Sequence, residues 1–263
     1  MTPSLHLTTV HLRISDLSRS LDFYVGKLGF ALLRQNPAGA ELAPGTGQAG
    51  SLILKEERNA PRPPQEAAGL FHAAMLFPNR AGLGAWLQFT AEKSINFEGF
   101  SDHGVSEAIY LSDPDGNGLE FYADRPREQW PYVRGELAMT TRPLAVRSLL
   151  ADAAPAGSPP LEGASWGHLH LRVTDLDRSE AYYKEKLGVE VTQRSFPGAR
   201  FLGADGYHHH LGLNTWGAPR LPQPKGALGL AEVTFARAGV ASEKSHTDPD
   251  GICVRVQPAL VPA

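Results

Sequence analysis

HLRISDLSRSLDFYVGKLGF, at residues 11–30, returns as HLRVTDLDRSEAYYKEKLGV at residues 170–189, with 11 of 20 positions identical. A second pair lies further along each half: SDPDGNGLEFY at residues 112–122 matches TDPDGICVRVQ at residues 247–257. Internal similarity of this kind indicates that the two halves of the chain are structural repeats.

Each half divides again into smaller units. Residues 8–14 have the alternating character of a strand, and Leu17, Leu21, Tyr24 and Leu28 then follow helical spacing before Gly29. The same order recurs in GLFHAAMLFPN followed by AGLGAWLQF, and the turn sequence DPDG joins SEAIYLS to GLEFYAD. GYHHHLGLN, at residues 206–214, is predicted to be the strand that ends the third unit. The sequence therefore predicts an α+β fold of four βαβββ modules.

The fourth module is shortened. The segment that leads to its DPDG turn has 25 fewer residues than the matching segment of the second module, and the loss falls where the helix should be. We expect this module to act as scaffold. The repeats divide the chain into a first domain at residues 1–140, a connecting segment at 141–165 that includes the linker PAGSPPLEGAS, and a second domain at 166–263.

Composition excludes several classes of protein. The 263 residues are 42% hydrophobic and carry a formal charge of −3, without the basic stripe of a nucleic-acid binder. No stretch approaches the ~20 apolar residues that span a membrane, and no secretory signal is recognisable. The single cysteine, Cys253, is typical of a reducing compartment, so we expect a cytoplasmic protein without membrane or nucleic-acid partners. The oligomeric state stays open, a homo-oligomer included.

The pattern HLRxxDLxRSxxFYxxKLG, followed by DPDGNGLE, resembles the vicinal oxygen chelate superfamily, which includes glyoxalases, antibiotic-resistance proteins and extradiol ring-cleaving dioxygenases. The resemblance covers nearly the whole chain. It implies that the modules pair into two cup-shaped, incompletely closed barrels, and that one barrel holds a metal ion.

The resemblance also implies where ligands stand. The first-strand ligand precedes the Asp or Asn at the helix start by seven positions, and the last-strand ligand follows DPDG by four. These positions hold Thr9 in module one, His72 and Glu120 in module two, His168 in module three, and Glu232 and Arg255 in module four. Only modules two and three together complete a set of two histidines and one carboxylate, so we expect His72, Glu120 and His168 to bind the metal. His11 and His170 stand two residues past the ligand position. Whether both modules come from one chain is left open.

A set of two histidines and one carboxylate is associated with non-haem Fe(II) oxygenases, because it leaves positions free for substrate and O₂. The resemblance is strongest to two-domain catechol 2,3-dioxygenase-like enzymes. It implies Fe(II), with Mn(II), Zn(II) and Ni(II) as alternatives, a small catechol-like aromatic substrate and O₂.

Three further residues receive roles from the same resemblance. His209, in the triple-histidine run, corresponds to the histidine that handles a substrate proton, although an alternative alignment places His210 beside the metal instead. Tyr110 and His103 correspond to groups near the substrate oxygens. Neighbours on a strand point to opposite faces, so the two cannot both face the metal, and we favour His209, which the match to the family's HHxL pattern implies.

Two other functions stay open. A glyoxalase-like isomerase or thiol transferase would use four protein ligands, with His210 as the fourth. A resistance protein that binds an aromatic compound without catalysis would need no metal.

Overall fold

The computed structural model describes residues 4–45, 50–155, 157, 159–218 and 221–259. Module one contains β1 Leu5–Ile14, α1 Leu17–Leu21 with a π-helical extension Asp22–Lys27, β2 Ala31–Asn36, β3 Gly39–Ala43 and β4 Ser51–Glu56. Module two contains β5 Gly69–Phe77, α2 Arg80–Ala91, β6 Phe97–Asp102, β7 Ser106–Ser112 and β8 Gly118–Asp124. Both modules therefore follow the expected βαβββ order.

A connecting segment follows module two. It contains a 3-10 turn Arg127–Gln129, β9 Tyr132–Val133, β10 Glu136–Leu137, β11 Arg142–Pro143 and α3 Val146–Ala151. Module three contains β12 Ser165–Arg172, α4 Leu176–Leu187, β13 Glu190–Gln193, β14 Ala199–Gly203 and β15 Leu211–Asn214. Module four contains only β16 Gly229–Arg237, β17 Lys244–Thr247 and β18 Cys253–Pro258, without a helix among its described residues.

The strand-to-helix junctions of the first three modules share one local device. Asp16, Asn79 and Asp175 each accept a hydrogen bond from the backbone N–H three residues ahead, and so cap the helix that follows. Gly188 ends α4 in the left-handed conformation, with φ of 65°, which suits glycine. Among the described residues, no helix has both the length and the apolar character needed to cross a bilayer.

Strand pairing joins modules across the two halves of the chain. The seven-stranded sheet has the order β17-β18-β16-β1-β4-β3-β2, and the nine-stranded sheet has the order β11-β6-β7-β8-β5-β12-β15-β14-β13. Module one therefore shares a sheet with module four, and module two shares a sheet with module three of the same chain. The sheets curl into half-barrels, so the predicted fold class, with its truncated fourth module, is confirmed.

Polar contacts join the modules in the other direction, within each half. The hydroxyl of Tyr24 donates to Asp113 of the DPDG turn at 3.0 Å, and that of Tyr183 donates to Asp248 at 2.8 Å. These hydrogen bonds link module one to two and module three to four. The division of the chain at residues 141–165 stays a prediction. Strand pairing joins modules on opposite sides of this segment, whereas the tyrosine hydrogen bonds join modules on the same side of it.

The core of module two carries the sheet that holds the candidate site. Trp86 of α2 stacks on Phe121 of β8, with 3.9 Å between the ring centroids. Both side chains are fully buried. Because successive residues of a strand face opposite sides, Phe121 points to the helix while its neighbour Glu120 points to the inside of the half-barrel.

Candidate active site

His72, Glu120 and His168 converge on the inner face of the nine-stranded sheet. Ala74 of β5 lies opposite Glu120 on β8 and opposite His168 on β12, and His72 lies two residues before Ala74 on the same face. The small side chain of Ala74 leaves the space between its larger neighbours free. The register of three adjacent strands thus brings together residues from two separate modules.

The ligand atoms of this cluster lie close together. Glu120 Oε2 is 2.9 Å from His72 Nε2 and 3.0 Å from His168 Nε2, and the two imidazole nitrogens are 3.4 Å apart. Atoms bound about 2.1 Å from one cation at right angles would lie about 3.0 Å apart. The spacing therefore fits a cation held by one face of its coordination sphere.

The charge of the cluster also fits a bound cation. Burial opposes ionisation of Glu120, but the imidazoles of His168 and His72 hold its pKa well below the ordinary value. Burial lowers the pKa of His168, against the opposing charge of Glu120. A buried carboxylate is costly unless a cation compensates it, and the described residues that line this cavity include no Lys or Arg.

Packing holds the His168 ring in place. Its Nδ1 is buried without a hydrogen-bond partner among the described residues, whereas metal-ligating histidines commonly donate from the second nitrogen. The ring instead lies against Tyr122 and His209, with centroids 4.9 and 4.1 Å away. Aromatic contacts therefore take over the orienting role that a hydrogen bond usually has.

The triple histidine is not a strand, contrary to the prediction for residues 206–214. Only Leu211–Asn214 is extended, and His208 to His210 form an irregular segment, so alternation along a strand cannot assign their directions. His209 lines the cavity next to His168. His210 points elsewhere, because its Nδ1 accepts the backbone N–H of Ala204 at 3.1 Å. The cluster has three candidate ligands in the described chain, without His210 as a fourth.

A relay of hydrogen bonds fixes the tautomer of His209. Asp124 Oδ1 accepts from His208 Nε2 at 2.8 Å, which leaves His208 Nδ1 as an acceptor for His209 Nδ1–H at 2.7 Å. The lone pair of His209 is then on Nε2. Burial lowers the pKa of His209, so the ring is neutral and the Nε2 lone pair is free.

Asp124 and His208 were missed by the sequence analysis. Asp124 is only the last residue of a regular strand, and nothing in three consecutive histidines distinguishes the first from the second. The interaction depends on the irregular path of the segment, which the sequence pattern did not indicate.

Tyr110 and His103 form a second pair in the cavity. His103 Nδ1 is 2.6 Å from the carbonyl of Thr140 and must donate to it, so Nε2 accepts from the Tyr110 hydroxyl at 2.7 Å. Tyr110 lies directly opposite Glu120 in the sheet. Burial and the charge of Glu120 raise the pKa of Tyr110 well above its ordinary value, which keeps the hydroxyl protonated. The pair can therefore offer a fixed polar contact beside the cluster.

The cluster opens into a cavity of about 230 Å³. His72 lies between two regions of its lining: its ring centroid is 5.4 Å from Tyr110 on one side and 4.9 Å from His170 on the other. Beyond His170 the lining is mainly aromatic. Burial lowers the pKa of His170 well below its usual value, so this ring adds no charge.

The other half-barrel has an ion pair at the corresponding positions. Arg255 Nε and Nη2 bind the two oxygens of Glu232 at 3.0 and 2.8 Å. His11 lies opposite Glu232 in the sheet, and burial lowers its pKa. A guanidinium thus neutralises the carboxylate there.

Comparison with known proteins gives a consistent picture. Residues 5–121 and 165–247 match the model of the Glyoxalase/Bleomycin resistance protein/Dioxygenase superfamily. Catechol-2,3-dioxygenase of Bacillus subtilis strain 168 is 42% identical over 231 residues, which cover 86% of this chain and 80% of the relative. Biphenyl-2,3-diol 1,2-dioxygenase 3 of Rhodococcus globerulus is 30% identical over 173 residues, covering 62% and 88%.

Solved structures show the same fold. Glyoxalase I from Zea mays aligns with a TM-score of 0.58 at 18% identity, over 97% of this chain and 92% of that chain. A solved protein from Bacillus subtilis strain 168 aligns with a TM-score of 0.65 at 12% identity, over 98% and 86%. At these identities the similarity concerns the fold alone.

Proposed function

We propose that this chain, which belongs to the Glyoxalase/Bleomycin resistance protein/Dioxygenase superfamily, is an extradiol dioxygenase that uses O₂ to open the ring of a catechol-like dihydroxy-aromatic. The observation that carries the proposal is the convergence of His72, Glu120 and His168 within ligand distance, in a largely aromatic cavity. The similarity to two dioxygenases that act on aromatic diols supports it.

His72 Nε2, His168 Nε2 and Glu120 Oε2 would hold the metal. Fe(II) suits a set of two histidines and one carboxylate, and Mn(II), Zn(II) or Ni(II) are the alternatives. When bound, the metal would supply open positions for the substrate oxygens and O₂, and a path for electrons between them. The remaining work falls to side chains of this chain.

His209 would take a proton from a substrate hydroxyl. Its Nε2 carries the lone pair because the relay from Asp124 through His208 fixes the proton on Nδ1. Tyr110 would keep a protonated hydroxyl next to Glu120 that donates to His103, so that its oxygen is left to accept a hydrogen bond from a substrate hydroxyl. The buried lining would limit water at the reacting atoms.

The test is anaerobic loading of the purified chain with Fe(II), followed by addition of catechol and O₂. We expect one iron per chain, oxygen consumption and a yellow ring-opened product. His72→Ala should abolish iron binding because it removes one of three ligands, whereas His11→Ala, in the other half-barrel, should leave iron content and activity intact.

Two outcomes would contradict the proposal. Iron-loaded protein that turns over no dihydroxybenzene would exclude the reaction, and affinity for an aromatic compound that survives a chelator would favour a binding protein. Loss of iron in His11→Ala but not in His72→Ala would show that the metal lies in the other half-barrel.

A further inference from the structure

Beside the proposed metal ligands, the same cavity has a second region that is lined by an aromatic wall of Phe71, Phe196, Phe201 and Trp216. These four side chains form a connected set. Phe71 and Trp216 have ring centroids 5.4 Å apart, Phe196 and Trp216 are 6.0 Å apart, and Phe196 and Phe201 are 5.7 Å apart. The wall therefore presents one continuous apolar surface to whatever extends from the metal cluster.

His170 sits in the middle of the aromatic wall. Its ring centroid is 5.1 Å from Phe71, 5.4 Å from Trp216 and 5.7 Å from Phe201. Gly212 lies directly behind it: a Cβ added there would be 2.8 Å from the imidazole carbons. The absence of a side chain at Gly212 thus leaves room for the His170 ring among these aromatic side chains.

Charge in the described lining is limited to the metal cluster. Glu120 is its one acidic residue, and the neutral polar groups Ser101, Ser106 and Thr141 complete the wall opposite the aromatic residues. The basic side chains nearby are held outside the cavity: Arg125 binds Asp102 and Glu107, and Arg194 binds Glu180. A carboxylate placed against the aromatic wall would therefore lose its hydration without gaining a cation.

We infer that this region is a subsite for the ring substituent of the substrate, and that it takes an uncharged apolar group, alkyl or aryl, in preference to a carboxylate. The inference rests on the proposed function, since it assumes that a catechol binds through its two oxygens at the metal cluster. Apolar contact with Trp216 and the phenylalanines stabilises such a group, whereas burial of an unpaired carboxylate is strongly unfavourable.

In the described chain, Arg142 is a further basic residue that follows a lining residue in sequence. It follows Thr141, which lines the cavity, but Arg142 itself is exposed and does not line it. In an extended segment neighbouring side chains point to opposite sides, which agrees with the absence of Arg142 from the lining.

The experiment compares pairs of catechols with substituents of similar size at the same ring position. These are 3-methylcatechol with 2,3-dihydroxybenzoate, and 4-methylcatechol with 3,4-dihydroxybenzoate. Anaerobic binding to the iron-loaded protein is followed by quenching of tryptophan fluorescence, and turnover is then measured with O₂, with unsubstituted catechol alongside. We expect the methyl compound of each pair to bind and react with a kcat/KM about 100-fold higher.

Phe196→Arg provides the reciprocal test, because Phe196 is partly exposed at the cavity and can be replaced by a long side chain. It should raise affinity for the carboxylated catechols and lower it for the methyl compounds. Tyr132→Arg, which adds the same charge at an exposed site outside the cavity lining, is the matched control and should leave both affinities unchanged. Arg142→Ala should also change neither.

The outcomes separate the subsite from the reaction. Equal binding of methyl and carboxylated catechols would overturn the subsite, as would loss of carboxylate binding in Arg142→Ala. A preserved binding preference without turnover of any catechol would uphold the subsite and overturn the proposed reaction.

Discussion

Four buried imidazoles, those of His168, His170, His209 and His210, surround or flank the candidate site, and burial lowers the pKa of each. Neutral imidazoles suit a site that binds a metal, because protons compete with the metal for the ring nitrogens. The same burial has a cost in acid, because the unfolded chain binds protons that the folded chain does not.

The loss of folding stability in acid can be measured at His210. Burial, with the neighbouring imidazoles of His208 and His6 and against the opposing charge of Asp205, lowers its pKa from 6.5 to about 4. Above pH 6.5 the residue is neutral in both states and has no effect on stability. Below pH 6.5 the unfolded state takes up the proton first, so stability falls until about pH 4, by about 3 kcal/mol from this residue.

We therefore expect His210→Asn to reduce the loss of unfolding free energy between pH 8 and pH 4.5, as measured by urea denaturation. Asparagine can still accept the N–H of Ala204, so the variant at pH 8 controls for the change in packing. A pH dependence identical to that of the parent protein would show that His210 does not titrate on unfolding.

At the scale of elements, the tyrosine of each first helix and the DPDG turn of the following module form one unit. Tyr183 on α4 donates to Asp248, a buried carboxyl whose pKa is raised by burial. The adjacent Tyr182 also lies on α4, but its buried hydroxyl has no partner among the described residues. The two neighbours therefore differ in this hydrogen bond, and Tyr183 is also the more buried of the two.

Tyr183→Phe should lower the free energy of unfolding by about 1–3 kcal/mol, because it leaves a buried carboxyl short of a donor. Tyr182→Phe is the matched control and should change it by less than about 0.5 kcal/mol. Thermal or urea unfolding of both variants measures the difference. An equal loss in both would mean that the hydrogen bond to Asp248 makes no specific contribution to stability.

The elements that the sequence predicted well are those in which local pattern and burial agree. The strands SEAIYLS and GLEFYAD correspond to β7 and β8 without a shift at either end. The prediction of a strand at the triple histidine was wrong, because it assumed that successive side chains alternate between two faces. Backbone contacts, including the hydrogen bond from the N–H of His210 to the carbonyl of Leu202, give this segment an irregular path. Relay residues such as Asp124 depend on that path, so a pattern of residue types could not identify them.

At the scale of the whole molecule, the repeats alone did not predict which modules share a sheet. That prediction also required a comparison of the metal-ligand residues that each module offers. Module two supplies His72 and Glu120, and module three supplies His168 through the antiparallel pairing of β5 with β12. The substituent subsite, by contrast, combines side chains far apart in the chain, such as Phe71 and Trp216. No local spacing relates these residues, so only the assembled half-barrel reveals them.

This arrangement leads to a prediction about the two halves as folding units. A fragment of residues 1–155 keeps the tyrosine contacts between modules one and two, but it loses β16 beside β1 and β12 beside β5, at the centres of both sheets. Exposed strand edges with apolar faces favour association, so we expect this fragment to aggregate or form oligomers and to bind no iron. Coexpression with residues 156–263 should restore a complex that binds one iron, measured by size-exclusion chromatography and metal analysis. A monomeric 1–155 fragment with a cooperative unfolding transition would instead establish residues 1–140 as an autonomous domain, and would mean that contacts within each half outweigh the strand pairing between them.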